Sequence, residues 1–111
     1  MDDAARMARA AEVFKVLGGE SCLRLLWLLS QEPHTVGSLA RASGLAQPLV
    51  SQHLRVLRQS DLATASRHGK EVVYRLADTH VSHVIADALA HVDEHGPADP
   101  HHTHPTKDGT P

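Results

Sequence analysis

Apolar and polar positions follow three successive rhythms along this chain. Residues 4–17 place alanines, Met7, Val13, Phe14 and Leu17 at helical spacing, and Gly18-Gly19 ends the pattern. Ser21 is the expected cap of a second helix, which Leu23, Leu25, Leu26, Trp27, Leu28 and Leu29 make apolar on nearly every side. Such a helix belongs at the centre of a core, and Pro33 stops it. Thr35 to Ala42 reads as a short helix and Ser43-Gly44-Leu45 as a tight turn. Pro48 suits the first turn of the next helix, where its missing N–H costs nothing. That helix is expected to turn Leu49, Val50, Leu54 and Leu57 inward and Ser51, Gln52, Arg55 and Arg58 outward. From Leu62 the period becomes two. Leu62–Ser66 and Val72–Leu76 flank Arg67-His68-Gly69-Lys70, which predicts a β-hairpin with a basic turn. Residues 79–95 return to helical spacing. From Gly96 onward Pro, His, Thr, Asp and Gly dominate. The expectation is a mainly α domain with a small hairpin over 1–95 and a disordered His/Pro-rich tail over 96–111.

Length and composition narrow the function classes. The 111 residues suit one domain with a small core, which an oligomer would help to stabilise. Phe14, Trp27 and Tyr74 are the three aromatic residues, too few for a platform that stacks single-stranded bases. Cys22 stands alone, which excludes an internal disulfide framework and a cysteine-based zinc finger. It lies in the apolar helix and is expected to be an inert core residue. No apolar run approaches about 18 residues and no basic leader follows Met1, so neither a membrane span nor a signal peptide is predicted and the cytoplasm is expected.

The net charge of −2 hides a division. Residues 1–77 hold ten Lys/Arg against seven Asp/Glu, and residues 78–111 hold one against six. The most basic stretch, 41–75, has six against two. Ten histidines are present, seven of them between 80 and 104. A basic middle and an acidic, histidine-rich end suggest two tasks.

The basic middle coincides with the short helix, the Gly turn, the following helix and the hairpin. Together these make a winged helix-turn-helix. A helix fits the major groove and reads base edges with short polar side chains, while flanking cations hold phosphates. Ser51, Gln52 and His53 occupy the early part of the reading helix, Arg55 and Arg58 reach the backbone, and Arg67 and Lys70 mark the wing tip. Gln52 and His53 also suit interior hydrogen bonds, His53 by packing toward the core. Double-stranded DNA is the expected partner.

The histidine-rich end suggests a metal. On a helix over 79–95, His83, Asp87, His91 and Glu94 lie within about 60° of His80, beside an apolar stripe of Val81, Val84, Ile85, Ala88, Leu89 and Val92. His91 and Glu94, three apart, can share an ion. Asp78 lies at the strand–helix junction, where a non-helical backbone lets it converge with His80 and where a carboxylate suits the positive helix end. The two pairs stand roughly 16 Å apart along the axis, so one helix cannot close a site with bonds of about 2 Å. Two antiparallel copies would, with Asp78 and His80 of one chain meeting His91 and Glu94 of the other, twice by symmetry. A homodimer anchored by Val81, Ile85 and Leu89 together with the first helix is therefore expected. His83 and His95 read as scattered polar residues of a surface helix.

At this point the residues resemble a known family. Residues 10–95, with Pro48-Leu49-Val50-Ser51-Gln52-His53-Leu54-Arg55-Val56-Leu57-Arg58 as recognition helix and Asp78-x-His80 followed by His91-x-x-Glu94, are similar to the ArsR/SmtB family of dimeric winged-helix metal-sensing repressors. The resemblance implies that the metal-free dimer occupies an operator and the metal-bound dimer releases it, so that efflux or sequestration genes are transcribed. The chain departs from the thiol-type branch: Thr35-Val36-Gly37-Ser38-Leu39-Ala40 carries no cysteine pair for soft ions. Two histidines and two carboxylates suit tetrahedral zinc and are complete without the tail. Members of the nickel/cobalt branch recruit tail histidines, and His95, His101, His102 and His104 could serve in that way. A His-rich metal-storage or delivery protein is the alternative of another class. No catalytic set argues for an enzyme, since His91-x-x-Glu94 is not the metalloprotease motif and no Gly-rich phosphate loop is present.

Overall fold

A computed structural model describes residues 1–96, in the order α1 (Asp3–Leu17), α2 (Glu20–Gln31), α3 (Val36–Ser43), α4 (Gln47–Gln59), β1 (Ala63–His68), β2 (Glu71–Leu76) and α5 (Thr79–His95). The remaining residues, 97–111, with His101, His102 and His104, lie outside the described part. Helix α2 is the hub: it packs against α1, α3, α4, α5 and β2. Its Cys22, Leu25, Leu26 and Leu29 are buried, but Trp27 on the opposite face is 43% exposed, so the helix is central without being enclosed. The cap expected from Ser21 is not used. The helix begins at Glu20 after an extended Gly19 that makes no side-chain cap, and Glu20 sits in the positive first turn, paired with Arg24 at 3.3 Å.

Local chemistry sets the helix-turn-helix. Thr35 caps α3 by accepting the Ser38 N–H at 3.1 Å, and Gly44 ends it in the left-handed region at φ 77°. Pro48 stands in the first turn of α4. Val50, Leu54 and Leu57 are fully buried there, but Leu49 is 38% exposed. The expectation for Leu49 fails because it lies about 100° off the stripe that the other three define. Helix α4 closes with a Schellman arrangement. The Leu62 N–H donates to the Leu57 carbonyl at 2.8 Å and the Asp61 N–H to the Arg58 carbonyl at 3.1 Å, with Asp61 at φ 57° where glycine is usual. The chain thereby turns from α4 into β1.

The hairpin is tighter than expected. The strands pair from Ala63↔Leu76 to His68↔Glu71, so Arg67 and His68 belong to β1 and the turn is Gly69-Lys70 alone. Gly69 at φ 66° supplies the positive φ that the first position of a two-residue hairpin turn requires. His34 adds a bridge to β2. Its N–H donates to the Tyr74 carbonyl at 3.1 Å and its carbonyl accepts the Tyr74 N–H at 2.7 Å, which ties the wing to the start of the helix-turn-helix.

Leu26→Ala is expected to cost about 2–5 kcal/mol, because a fully enclosed side chain leaves a cavity. Leu49→Ala should stay within about 0.5 kcal/mol. Urea midpoints at unchanged slope compare the two, and equal losses would contradict this placement of α4.

Candidate functional site

Helix α4 presents two faces. Opposite its buried stripe, Ser51, Gln52, Arg55 and Arg58 are exposed. Ser51, Arg55 and Arg58 line an open concavity of about 530 Å³ with Gln59 and with Tyr74 of β2, so the wing stands beside the polar face of the helix. In the strand register Arg67 lies opposite Val72 and shares a hairpin face with Ala65 and Tyr74, the face that looks toward α4. Lys70 occupies the turn. Among the described residues the ion pairs are Arg6–Asp3 and Arg24–Glu20, and the cations of α4 and the hairpin have no ion-pair partner among those residues. Arg41 on α3 and Arg75 on β2 are exposed cations of the same region that were not singled out from sequence. The charge census over 41–75 contained both, but they fall outside the reading helix and the turn.

His53 turns the other way. It is half-buried, and its Nδ1 lies 3.4 Å from Cys22 Sγ, joining α4 to α2. Burial pushes the Cys22 thiol up from its ordinary value, which leaves it a poor nucleophile and a poor metal ligand at neutral pH. Of the two places open to His53, the structure has the interior one, so it is not on the reading face.

The four candidate metal ligands sit at the two ends of α5. Asp78 is its N-cap. One carboxylate oxygen accepts the Val81 N–H at 3.1 Å, which aims the side chain and leaves the second oxygen free. Asp78 and the exposed His80 open into a groove of about 570 Å³ between α1, α5 and the end of α4, where Arg9, Glu12 and Val13 face them. His91 and Glu94 are exposed near the other end of the helix. Within one chain, no three His, Cys, Asp or Glu side chains come together among the described residues. The donor set itself suits a borderline divalent ion: two imidazoles and two carboxylates, each with an atom not committed elsewhere. His83 is exposed on the same helix. His95 is placed against His91, with ring centroids 4.4 Å apart and planes tilted by 43°.

An uncovered apolar face accompanies these residues. Val81 and Ile85, expected as dimer anchors, are instead buried in the chain's own core. The outer residues of α5 are Val84, Leu89 and Val92, the last 53% exposed. Helix α1 has no buried residue, and its Phe14 is 62% exposed. The stripe on α5 is thus divided into a buried and an exposed part. Its first turns pack on α2, and the part that runs past the core is covered by nothing among the described residues.

Comparison with known proteins agrees with this architecture. Residues 20–65, from α2 into β1, match the model of bacterial regulatory proteins of the arsR family. The chain is 39% identical over 85 residues to the HTH-type transcriptional repressor SmtB of Mycobacterium tuberculosis, a match covering 77% of this chain and 63% of that protein. The chain therefore spans less than two thirds of that relative's length. It is 38% identical over 89 residues to the HTH-type transcriptional regulator NmtR of the same species, covering 80% and 74%. Among solved structures, it superposes at a TM-score of 0.79 and 31% identity on the homodimeric winged helix-turn-helix DNA-binding domain of a Mycobacterium bovis protein, a possible ArsR-family transcriptional regulator, covering 93% of this chain and 97% of that one. No helix of the described residues is long and apolar enough to cross a membrane. Identity at this level over most of both sequences, on a shared winged helix, establishes that the chain belongs to the bacterial ArsR family, a family of regulators rather than enzymes.

Proposed function

We propose that this chain is a metal-responsive transcriptional repressor that binds operator DNA as a homodimer and is released from it by zinc bound between its two C-terminal helices. One observation carries the reading. Asp78 and His80 stand at one end of α5, His91 and Glu94 at the other, and an uncovered apolar face lies between them. Two antiparallel copies of α5 would cover that face and close two four-ligand sites in one step. Zinc would supply electrostatic cross-linking of the two helices. The chain's own residues do the rest: Asp78 is held by the helix cap, and the groove beside α1 receives the partner's last turn.

The coupling to DNA follows from connectivity. Helix α5 packs on α2 and β2, and α2 packs on α4, so fixing one α5 against the other fixes the spacing of the two reading helices. If the fixed spacing fits adjacent grooves less well, metal lowers DNA affinity, and by linkage DNA lowers metal affinity by the same factor, on the order of 1–3 kcal/mol. The test is fluorescence anisotropy of an inverted-repeat duplex with and without zinc, beside the stoichiometry of zinc bound. Two ions per dimer with release from DNA is the expected result, and unchanged DNA affinity at saturating zinc would refute the switch.

Ser51, Gln52, Arg55 and Arg58 form the reading and phosphate-holding face in this proposal, with Arg67 and Lys70 on the wing. Arg67→Ala and Lys70→Ala should each weaken binding to all sequences alike and reduce the slope of log affinity against log salt by about one. An unchanged slope would mean that the wing does not touch phosphate. The nickel/cobalt reading differs in one respect. It needs histidines from 96–111, so removal of that segment should abolish a nickel or cobalt response and leave a zinc response in place.

A further inference from the structure

We infer that Leu49 and Val56, which flank Gln52 on the outer face of α4, are specificity-determining residues that recognise thymine methyl groups in the operator. This recognition rests on α4 entering the major groove, as proposed above. Leu49 and Val56 are 38% and 40% exposed, and neither belongs to the core cluster or to the side chains packed against it. Both also lie outside α1 and α5, the helices of the proposed dimer interface. At about 100° per residue, Leu49, Gln52 and Val56 fall within about 60° of one another, roughly 130° round from the buried stripe of Val50, Leu54 and Leu57. They form one ridge along the helix, at positions i, i+3 and i+7. Ser51, Arg55 and Arg58 border it on the side of the wing, where Tyr74 stands. The outermost line of α4 thus runs between cations and an apolar ridge, with Gln52 closest to it.

The chemistry of the groove selects what this ridge can meet. Base edges there carry hydrogen-bond donors and acceptors, and the C5 methyl of thymine is their one apolar group. A leucine or valine pressed onto a guanine edge or a cytosine amino group would strip water from a polar atom and return no hydrogen bond. Pressed onto a thymine methyl, it buries apolar surface on both sides. Gln52 fits the same type of base pair, since a Gln amide pairs with N6 and N7 of adenine. Leu49 and Val56 are separated by about 10 Å of helix axis, roughly two to three base-pair steps of about 3.4 Å rise. Each half-site is therefore expected to place thymines that far apart under the two side chains, with adenine under Gln52 between them.

The test starts from an inverted-repeat duplex that the full chain selects from a random pool. Each thymine is then replaced in turn by deoxyuridine, which removes the C5 methyl and keeps every hydrogen-bonding group. At the thymines under Leu49 and Val56, replacement in one half-site should weaken binding about fourfold, and in both half-sites about fifteenfold. In a Leu49→Ala/Val56→Ala chain the same replacements should lose most of their effect. Neither side chain belongs to the core, so that chain keeps its fold, and the deoxyuridine result with the parent chain needs no variant at all. Equal affinity for thymine and uracil throughout the duplex, or the same loss in the parent and the double variant, would overturn the proposal. So would a double variant that sediments as a monomer without DNA, because the ridge would then belong to a second copy. Gln52→Ala separates the two ideas. If that chain keeps its sequence preference, α4 does not read bases and both fall. If the preference is lost while deoxyuridine changes nothing, the thymine contact alone fails.

Discussion

A mixed dimer of one His80→Ala chain and one His91→Ala chain is expected to keep one full-strength zinc site, while each homodimeric variant keeps none. The reasoning is geometric. Residues 80 and 91 are separated by roughly 16 Å of helix, so each site must draw its histidines from different chains. In the mixed dimer, one site takes residue 80 from the His80→Ala chain and residue 91 from the His91→Ala chain and loses both imidazoles. The other takes His80 and His91 from the unaltered positions and is intact. Each variant should bind the operator as well as the parent, since neither residue lies on α4 or the hairpin. The homodimeric variants should lose zinc-driven release altogether, a coupling on the order of 1–3 kcal/mol, and the mixed dimer should retain part of it. If no tight site survives in the mixed dimer, the ligands come from one chain and the antiparallel pairing of α5 is wrong.

The parts of this molecule that could be read from sequence are those set by neighbours along the chain. Thr35, Gly44 and Pro48 each act within one turn, so the limits of α3 and the start of α4 followed from them, as did the place of Asp78 at the positive end of α5. What escaped depends on contacts across the fold or on unusual local chemistry. The bridge between His34 and Tyr74 pairs backbone groups 40 positions apart and leaves no mark in the side-chain pattern. Asp61 takes the left-handed position at the end of α4 that glycine would have announced. Ser21 looked like a cap because serine usually is one, but the chain had already turned at Gly19. The candidate site shows the same division. Spacing picked out Asp78, His80, His91 and Glu94 as one set and could state that a single helix does not close it. Periodicity grouped Val81, Ile85 and Leu89 as one stripe, yet it could not tell which of them the chain's own α2 would claim. Only packing divides that stripe, and the division decides which substitutions test the dimer and which merely unfold the protein.

Leu89→Asp is accordingly expected to produce a folded monomer that neither reads the operator nor holds metal between chains. Leu89 and Val92 lie on the part of α5 that passes beyond the core, and neither is buried in the chain. Covering a Leu or Val side chain is worth roughly 1.5–3 kcal/mol, and two-fold symmetry counts each position twice. Leu89 is already covered in part by its own chain, with 37% left exposed, so losing it from both copies removes roughly 1–2 kcal/mol, about five- to thirtyfold in the dimer dissociation constant, before the cost of an opposed carboxylate pair is added. One reading helix spans too few base pairs to hold a specific site alone, and a dimer places two of them about one helical turn, 34–36 Å, apart. The monomer should thus fall to non-specific, strongly salt-dependent DNA binding. It should also bring no His91 to a partner's His80. Ile85→Asp provides the contrast: Ile85 is 1% exposed inside the core, so an unpaired carboxylate there should abolish the cooperative fold itself. Sedimentation velocity at micromolar concentration, with far-UV circular dichroism on the same samples, distinguishes the two. A Leu89→Asp chain that still sediments as a dimer would place the interface elsewhere, and the shared metal site would go with it.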